Sequence, residues 1–306
     1  MASLPPPKVT LVVLSWNGWR DTAACVESCL RVDHPGLRIL VVDNGSTDGS
    51  ERILRERFPD VELLQTGENL GYAGGNNAGI RRALDEGSDL VVLLNNDTEV
   101  DPGFVSALVE AARLHPEAGM LCSKIFLFDR PDVLWYAGAS FHPLVGWSHH
   151  RGHGQRDRGQ YDRVEETDRP TGCALMVTRA CCEKVGLLRD EYFCYAEDLE
   201  WGLRARDAGF SILYVPGSRV WHKVSRSTGG GKSVAAIRYH TRNLLACLDE
   251  RRPIPFPLRS LRWSAVIAAA TMGLVTQGIP PVAGLRAIAR GVLDWRGGRF
   301  GRIPGD

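Results

Sequence analysis

Four short apolar runs, each cut off by a cluster of small polar residues, constrain this chain more than any other feature. The central run, residues 90–94 (L-V-V-L-L), stops abruptly at Asn95-Asn96-Asp97, with Thr98, Glu99 and Asp101 close behind. An unbroken apolar run of this length fits a strand buried on both faces, as in a parallel sheet. Residues 9–14 end in Ser15-Trp16-Asn17-Gly18, and residues 39–42 end in Asp43-Asn44-Gly45-Ser46. Residues 61–64 lead to Glu68-Asn69-Leu70-Gly71 and on to Gly74-Gly75-Asn76-Asn77. Helical spacing fills the intervals: Ala24, Cys25, Cys29 and Leu30 after the first run, a helix over about residues 78–86, and another starting near Pro102. Strands alternating with helices in this way predict an α/β chain with a mainly parallel sheet, right-handed crossovers and helices on its faces.

Ligands of open α/β sheets gather at the carboxyl ends of the strands, so the polar clusters mark one edge as the place for chemistry. Asn95, Asn96 and Asp97 bring hard oxygen donors that suit Mg2+ or Mn2+ carried largely by a substrate's phosphates. As turn and helix-cap residues they would need no ligand at all. Asp43 can accept hydrogen bonds from a base or ribose, and the glycines around Asn69 and Asn76 would let backbone amides approach a ligand. Both stretches are also ordinary turn chemistry. No G-x-G-x-x-G follows the first run and no G-x-x-x-x-G-K-[ST] occurs, which argues against a dinucleotide dehydrogenase or a P-loop protein.

Leu199 and Leu203 stand one helical turn apart, which puts Glu197 and Asp198 in a first turn. Carboxylates there are stabilised by the helix dipole, or one is held at a pocket to take a proton. His222 follows Val220-Trp221 and is either structural or an imidazole completing an oxygen-rich cation shell. Residues 129–170, with His149-His150-Arg151-Gly152-His153, lack cysteine partners and regular helical spacing. They predict a solvated loop rather than a metal centre.

The 306 residues are 44% apolar and 24% charged, enough to bury a core, and the net charge of +1 hides a division. From Gly202 onward 17 basic residues face 5 acidic ones, a balance of +12 that leaves −11 for the front of the chain. A basic rear suggests an anionic partner, lipid or nucleic acid. The eight cysteines form no C-x-x-C pair and read as core residues of a reducing compartment. The N-terminus has no charged-then-apolar leader, which points to a cytoplasmic location. Residues 263–285 carry no charge but are interrupted by Gly278 and Pro280-Pro281. Interfacial or core helices fit them better than a membrane span. Their flanks, Arg259, Arg262, Arg286, Arg290, Arg296, Arg299 and Arg302, suit either a peripheral seat on anionic lipid or a solvated basic helix.

Taken in order, S-W-N, V-V-D-N-G-S-T-D-G-S, E-N-L-G-Y-A-G-G-N-N, L-L-N-N-D, Y-A-E-D-L-E-W-G-L-R and V-W-H resemble the inverting family-2 glycosyltransferases of GT-A fold, over roughly residues 8–245. T-G-C-A-L-M-V and Y-H-T-R-N look like the rhamnosyltransferase-like branch, bacterial enzymes that build cell-surface polysaccharide. The resemblance implies a GT-A catalytic domain over 8–245, with a nucleotide-binding half (8–101), an acceptor-side half (102–245) and a basic helical C-terminal extension (246–306). It implies nucleotide contacts at Ser15, Asn17, Asp43, Asn69, Gly71, Asn76, Asn95 and Asn96. Asp97 becomes the carboxylate on Mn2+ or Mg2+, with His222 as second ligand. Asn95 stands where the family's D-x-D motif has its first acid, so that contact is neutral here. Asp198 matches the catalytic base, with Glu197 beside it as the lesser candidate.

The implied donor is a dTDP- or UDP-linked sugar, dTDP-rhamnose among them. The implied acceptor is a glycan or a lipid-linked sugar, and nucleic acid is not expected. One base and one metal suit direct displacement with inversion, whereas a retaining hydrolase needs two flanking carboxylates. A sugar-nucleotide pyrophosphorylase would want a Gly-rich, Arg-bearing loop where Ser15-Trp16-Asn17-Gly18-Trp19 stands. A silent nucleotide- or glycan-binding module would have no use for both Asp97 and Asp198.

Overall fold

A computed structural model describes residues 6–224 and 233–303, with the backbone alone at 275–277. The reading of the leader falls largely on residues 1–5, outside the described residues. The front of the chain alternates as its pattern dictates: β1 (Val9–Ser15), α1 (Trp19–Cys29), β2 (Leu37–Asp43), α2 (Ser50–Arg57), β3 (Glu62–Gln65), α3 (Gly71–Asp85) and β4 (Leu90–Asn95). β2, β1 and β4 lie side by side in parallel, and β3 extends the row beyond β2. Leu11, Val12, Leu40, Val42, Val91 and Val92 are fully buried, as a strand covered on both faces requires. The register sets Ser15 level with Asp43, Leu14 with Asn95, and Asp43 with Gln65, so the polar strand ends share one edge.

α3 starts at Gly71, several residues before the expected 78, and absorbs the glycines read as a ligand-approach loop. Packing explains them. A Cβ at Gly75 would lie 2.5 Å from Leu14 Cδ1, and one at Gly79 would lie 2.4 Å from Val12 Cγ1. These glycines let the helix sit directly on β1.

The second half continues with β5 (Thr98–Val100), α4 (Phe104–Leu114), β6 (Ala118–Leu127), β7 (Arg130–Tyr136), β8 (Ala139–His142), β9 (Trp147–His150), β10 (Glu165–Glu166), β11 (Ala174–Thr178), α5 (Arg179–Val185), α6 (Glu197–Asp207) and β12 (Ser211–His222). β11 runs antiparallel between β4 and β6, and β12 lies parallel to β6 and antiparallel to the short β5. The main sheet therefore reads β10-β12-β6-β11-β4-β1-β2-β3. The segment 129–170 is not the solvated loop its composition suggests. It supplies β7 to the sheet edge and the separate hairpin β8-β9, whose turn at Gly146 packs so tightly that a Cβ would lie 2.7 Å from Leu248 and 2.9 Å from Val266. Buried Lys124, paired with Asp157 and Asp162, ties down the stretch after the hairpin.

Three helices complete the chain: α7 (Val234–Arg251), α8 (Leu258–Gln277) and α9 (Pro281–Arg296). Gly278, at φ +66°, breaks the uncharged stretch into α8 and α9, and among the described residues no helix is long and apolar enough to cross a membrane. Arg259 and Arg262 both pair with Asp249, and Arg299 pairs with Asp294. Much of the basic flank is therefore spent on the chain itself. None of the eight cysteines, all among the described residues, forms a disulfide.

Candidate active site

At the edge formed by β1 and β2, loops are cross-tied by the residues singled out from sequence. Asn17 accepts from the Thr47 amide (2.9 Å) through Oδ1, while its own amide donates to Ser46 Oγ (2.8 Å). Asp43 Oδ1 accepts from the Ser46 amide at 2.7 Å, but Oδ2 is buried with no hydrogen-bond partner among the described residues. A carboxylate oxygen so placed costs free energy unless something donates to it. Asn69 Oδ1 accepts from Asn44 Nδ2 and the Gly71 amide, at 3.1 and 2.9 Å. Gly71 has φ +72°, and a Cβ there would lie 2.4 Å from the Phe193 carbonyl oxygen. Asn76 donates to the Tyr72 carbonyl and leaves its buried Oδ1 without a partner among the described residues. Ser15 and Asn96 point elsewhere. Both hydrogen-bond to Thr22 Oγ1 on α1, at 2.8 and 2.9 Å, as a buried internal chain.

After β4 the chain turns, and the Asn95 carbonyl accepts from Thr98 Oγ1 at 2.7 Å. Antiparallel pairing of β5 with β12 sets His222 opposite Thr98. His222 Nε2 thereby lies 3.2 Å from Asp97 Oδ1, with both residues buried. Burial opposes a charged imidazole at His222, yet its neighbours Cys173 and Asp97 push its pKa up to about 10. The Cys173 thiol is itself pushed up by burial. His222 Nδ1 is buried without a hydrogen-bond partner among the described residues, and the ring meets Trp135 edge-on at 4.9 Å. One carboxylate oxygen and one imidazole nitrogen 3.2 Å apart fit two neighbouring ligands of an octahedral cation, for which bonds of about 2.1 Å give a spacing of about 3 Å. Among the described residues no group of three His, Cys, Asp or Glu gathers, so phosphate oxygens and water would have to fill the remaining positions.

The acidic pair opens α6, as its spacing predicts. Asp198 is held by three donors: Arg169 Nη2 reaches both Oδ2 (3.0 Å) and Oδ1 (3.3 Å), the Gly172 amide donates to Oδ2 (3.1 Å), and the Leu199 amide donates to Oδ1 (2.7 Å). Glu197 is buried, and its Oε2 has no partner among the described residues. Burial, reinforced by the charge on Asp198, pushes its pKa up to about 8. Both side chains line a cavity of about 630 Å³. Its lining combines the polar Arg169, His149, His150 and His240 with Val266, Ala270 and Gly273 of α8. Burial first, then Arg169, pushes His150 down to about 3, so it presents a neutral imidazole.

Residues 172 and 173 bridge the two centres. Gly172 donates to Asp198, while the next residue, Cys173, accepts from the Asn95 amide at 3.0 Å and neighbours His222. Gly172 must be glycine, because a Cβ there would meet Tyr72 Oη at 2.4 Å. The rest of E-D-L-E-W-G-L-R is architecture. Buried Glu200 pairs with Arg204 and Arg251, Trp201 donates to the Gly186 carbonyl, and Gly202 abuts Pro170. Sequence reasoning missed Arg169, His240 and the α8 wall. Arg169 is set beside Asp198 by contacts invisible in one dimension, among them Gly202 against Pro170 and the Tyr136 hydroxyl donating to the Arg169 carbonyl at 3.1 Å.

The glycosyltransferase-like family 2 model matches residues 5–246. An N-acetylglucosaminyl-diphospho-decaprenol L-rhamnosyltransferase of Mycobacterium tuberculosis is 32% identical over 248 residues, covering 73% of this chain and 80% of the relative. A dTDP-rhamnosyl transferase of Shigella flexneri is 24% identical over 207 residues, 64% of this chain and 61% of the relative. Among solved structures, GalNAc-T7 with UDP, GalNAc and Mn2+ superposes with a TM-score of 0.63 at 14% identity, over 94% of this chain and 57% of the other. The mannosyltransferase of Pyrobaculum calidifontis, in complex with GDP-Man and Mn2+, gives 0.59 at 19% identity, over 96% and 84%. These likenesses establish a GT-A fold, and with the matched family model they place this chain among the family-2 glycosyltransferases.

Proposed function

We propose that this glycosyltransferase is a divalent-cation-dependent, inverting enzyme of cell-surface polysaccharide synthesis that moves a sugar, foremost rhamnose from dTDP-rhamnose, onto a glycan or lipid-linked acceptor. The donor identity rests on the rhamnosyltransferases it resembles. Residues 8–101 form the nucleotide half, 102–245 the acceptor half, and 246–306 an extension that helps wall the acceptor cavity. The observation that carries the reading is the bridge at Gly172-Cys173, which couples the Asp97–His222 pair to Asp198 through adjacent residues. Asp43 Oδ2 accepts from the nucleoside, Asn17, Asn69, Gly71 and Asn76 shape its loop, and Asn95 offers a neutral contact near the diphosphate.

Asp97 and His222 hold Mn2+ or Mg2+, which when bound offsets the negative charge of the departing diphosphate. Asp198 takes the proton of the attacking hydroxyl, oriented for this by Arg169 and the Gly172 amide. Glu197, protonated up to about pH 8, is a poor base at neutral pH. The cavity, lined by polar and apolar side chains together, suits an amphipathic acceptor. Exposed Val282, Leu285 and Leu293 alternate along α9 with exposed Arg286, Arg290 and Arg296, a surface for peripheral attachment to the cytoplasmic leaflet. Calorimetric titration of dTDP, UDP and GDP with and without Mn2+, followed by incubation with the matching rhamnose or hexose donors, tests the reading. Chelator-insensitive binding would remove the cation. Sedimentation with anionic vesicles that resists high salt, or does not occur, would remove the peripheral attachment.

A further inference from the structure

The chain enters α6 through a turn that few sequences tolerate. Phe193 (φ +62°), Tyr195 (φ +68°) and Ala196 (φ +65°) all occupy the left-handed region without being glycine. Such conformations persist only where the surroundings enforce them. Foremost among the surroundings here is one side chain. Asn243 on α7, fully buried, directs Nδ2 at three carbonyls of this turn: Tyr192 (2.9 Å), Cys194 (2.9 Å) and Tyr195 (2.8 Å). Its amide orientation is fixed, since Oδ1 accepts from Arg242 Nε at 2.8 Å.

Arg242 continues the grip, donating to the Tyr192 carbonyl (3.1 Å) and to the Gly301 carbonyl (2.9 Å). The Gly301 amide in turn donates to the Glu191 carbonyl at 2.7 Å. Tyr239 stacks its ring on Phe193 at 5.3 Å and accepts from the Ile303 amide at 2.7 Å. The Y-H-T-R-N stretch is thus a clamp that joins α7 and the chain end to the turn before Glu197 and Asp198.

We infer that Asn243 is a positioning residue: it forces the strained turn that aims the α6 acidic pair into the acceptor cavity. This rests on the reading of Asp198 as the base. A carboxylate displaced by about 1 Å costs on the order of 100-fold in rate. Asn243→Asp keeps the shape and sets an acceptor against three acceptors; Asn243→Ala, which adds no charge, replaces it if the first fails to fold.

Two measurements on the full chain decide the matter. Hydrogen exchange should quicken at residues 192–198 and not in peptides of β1–β4. With the donor that wild type turns over, kcat should fall by about 100-fold while Mn2+-dependent dTDP affinity and acceptor KM stay within twofold. Unchanged exchange at 192–198, exchange raised alike across the chain, wild-type kcat, or a matching loss of dTDP affinity would each overturn the inference. If wild type turns over no nucleotide sugar, the functional reading fails separately, and the exchange comparison still decides whether Asn243 holds the turn.

Discussion

The edge of the sheet formed by β1, β2 and β4 and the cavity beneath α6 are built by opposite means. On the first, consecutive parallel strands end level, so Asp43, Asn95 and their neighbours reach one place because each ends its own strand. On the second, Asp198 depends on Arg169, 29 residues before it, the cavity wall depends on α8, and the turn depends on Asn243. The first site is local chemistry repeated along a regular scaffold; the second exists only after the whole chain has folded. A donor site of the first kind can be shared across a family, whereas an acceptor site of the second kind can be refashioned by changing its distant contributors. The family model itself stops at residue 246, before α8 begins.

If the comparison holds, substitutions should separate binding from transfer. The largest effect is expected at Asp198→Asn, with kcat lowered by about 10²- to 10⁴-fold and Mn2+-dependent dTDP binding left near wild type. Near-normal turnover in that variant, with loss in Glu197→Gln, would reverse the two acids. Asp97→Ala should weaken dTDP binding in Mn2+ by at least about 10- to 100-fold, the range known for disturbing a ligand's support alone. His222→Ala should do so less, and neither should alter binding measured in chelator.

On the acceptor side, Ala270→Phe narrows the cavity from the α8 wall. It should raise acceptor KM roughly 10-fold, within the 1–3 kcal/mol typical of overfilling, and leave dTDP affinity unchanged. An unchanged KM would mean that α8 only covers the fold.

The smallest effect concerns stability. Glu197 is raised from 4.5 to about 8, so the folded state keeps its proton where the unfolded chain has released it. Wild type should therefore lose stability as pH rises from about 4.5 to 8, by at most roughly 1.4 kcal/mol per pH unit from this group. Glu197→Gln should flatten that slope in urea unfolding, most visibly at pH 8. An identical slope in both proteins would mean that Glu197 gains a partner in solution.

How much of this was legible in one dimension follows the same division. The strand runs and the polar clusters after them gave the α/β class and brought Asp43, Asn95 and Asp97 to one edge, because period and burial act locally. Pairing of Asp97 with His222 was legible only through the family resemblance, since it needs β12 to lie against β5. Ser15 and Asn96 drew notice as strand-end polar residues, yet both turn inward to Thr22, a choice that depends on the packing of α1. The segment 129–170 read as loop because its histidines and arginines are polar. They are ordered by long-range partners, as when His150 packs against Trp135 and Tyr136. Arg169 carried no local mark at all.

The central claim is a single displacement served by one carboxylate, Asp198, acting on a donor held elsewhere. Proton NMR of the first product formed from the donor that titration selects tests it most directly. The expected linkage has the anomeric configuration opposite to that in the nucleotide sugar. Retention of the donor configuration would require either a second displacement or attack from the leaving group's own face, and would contradict the account.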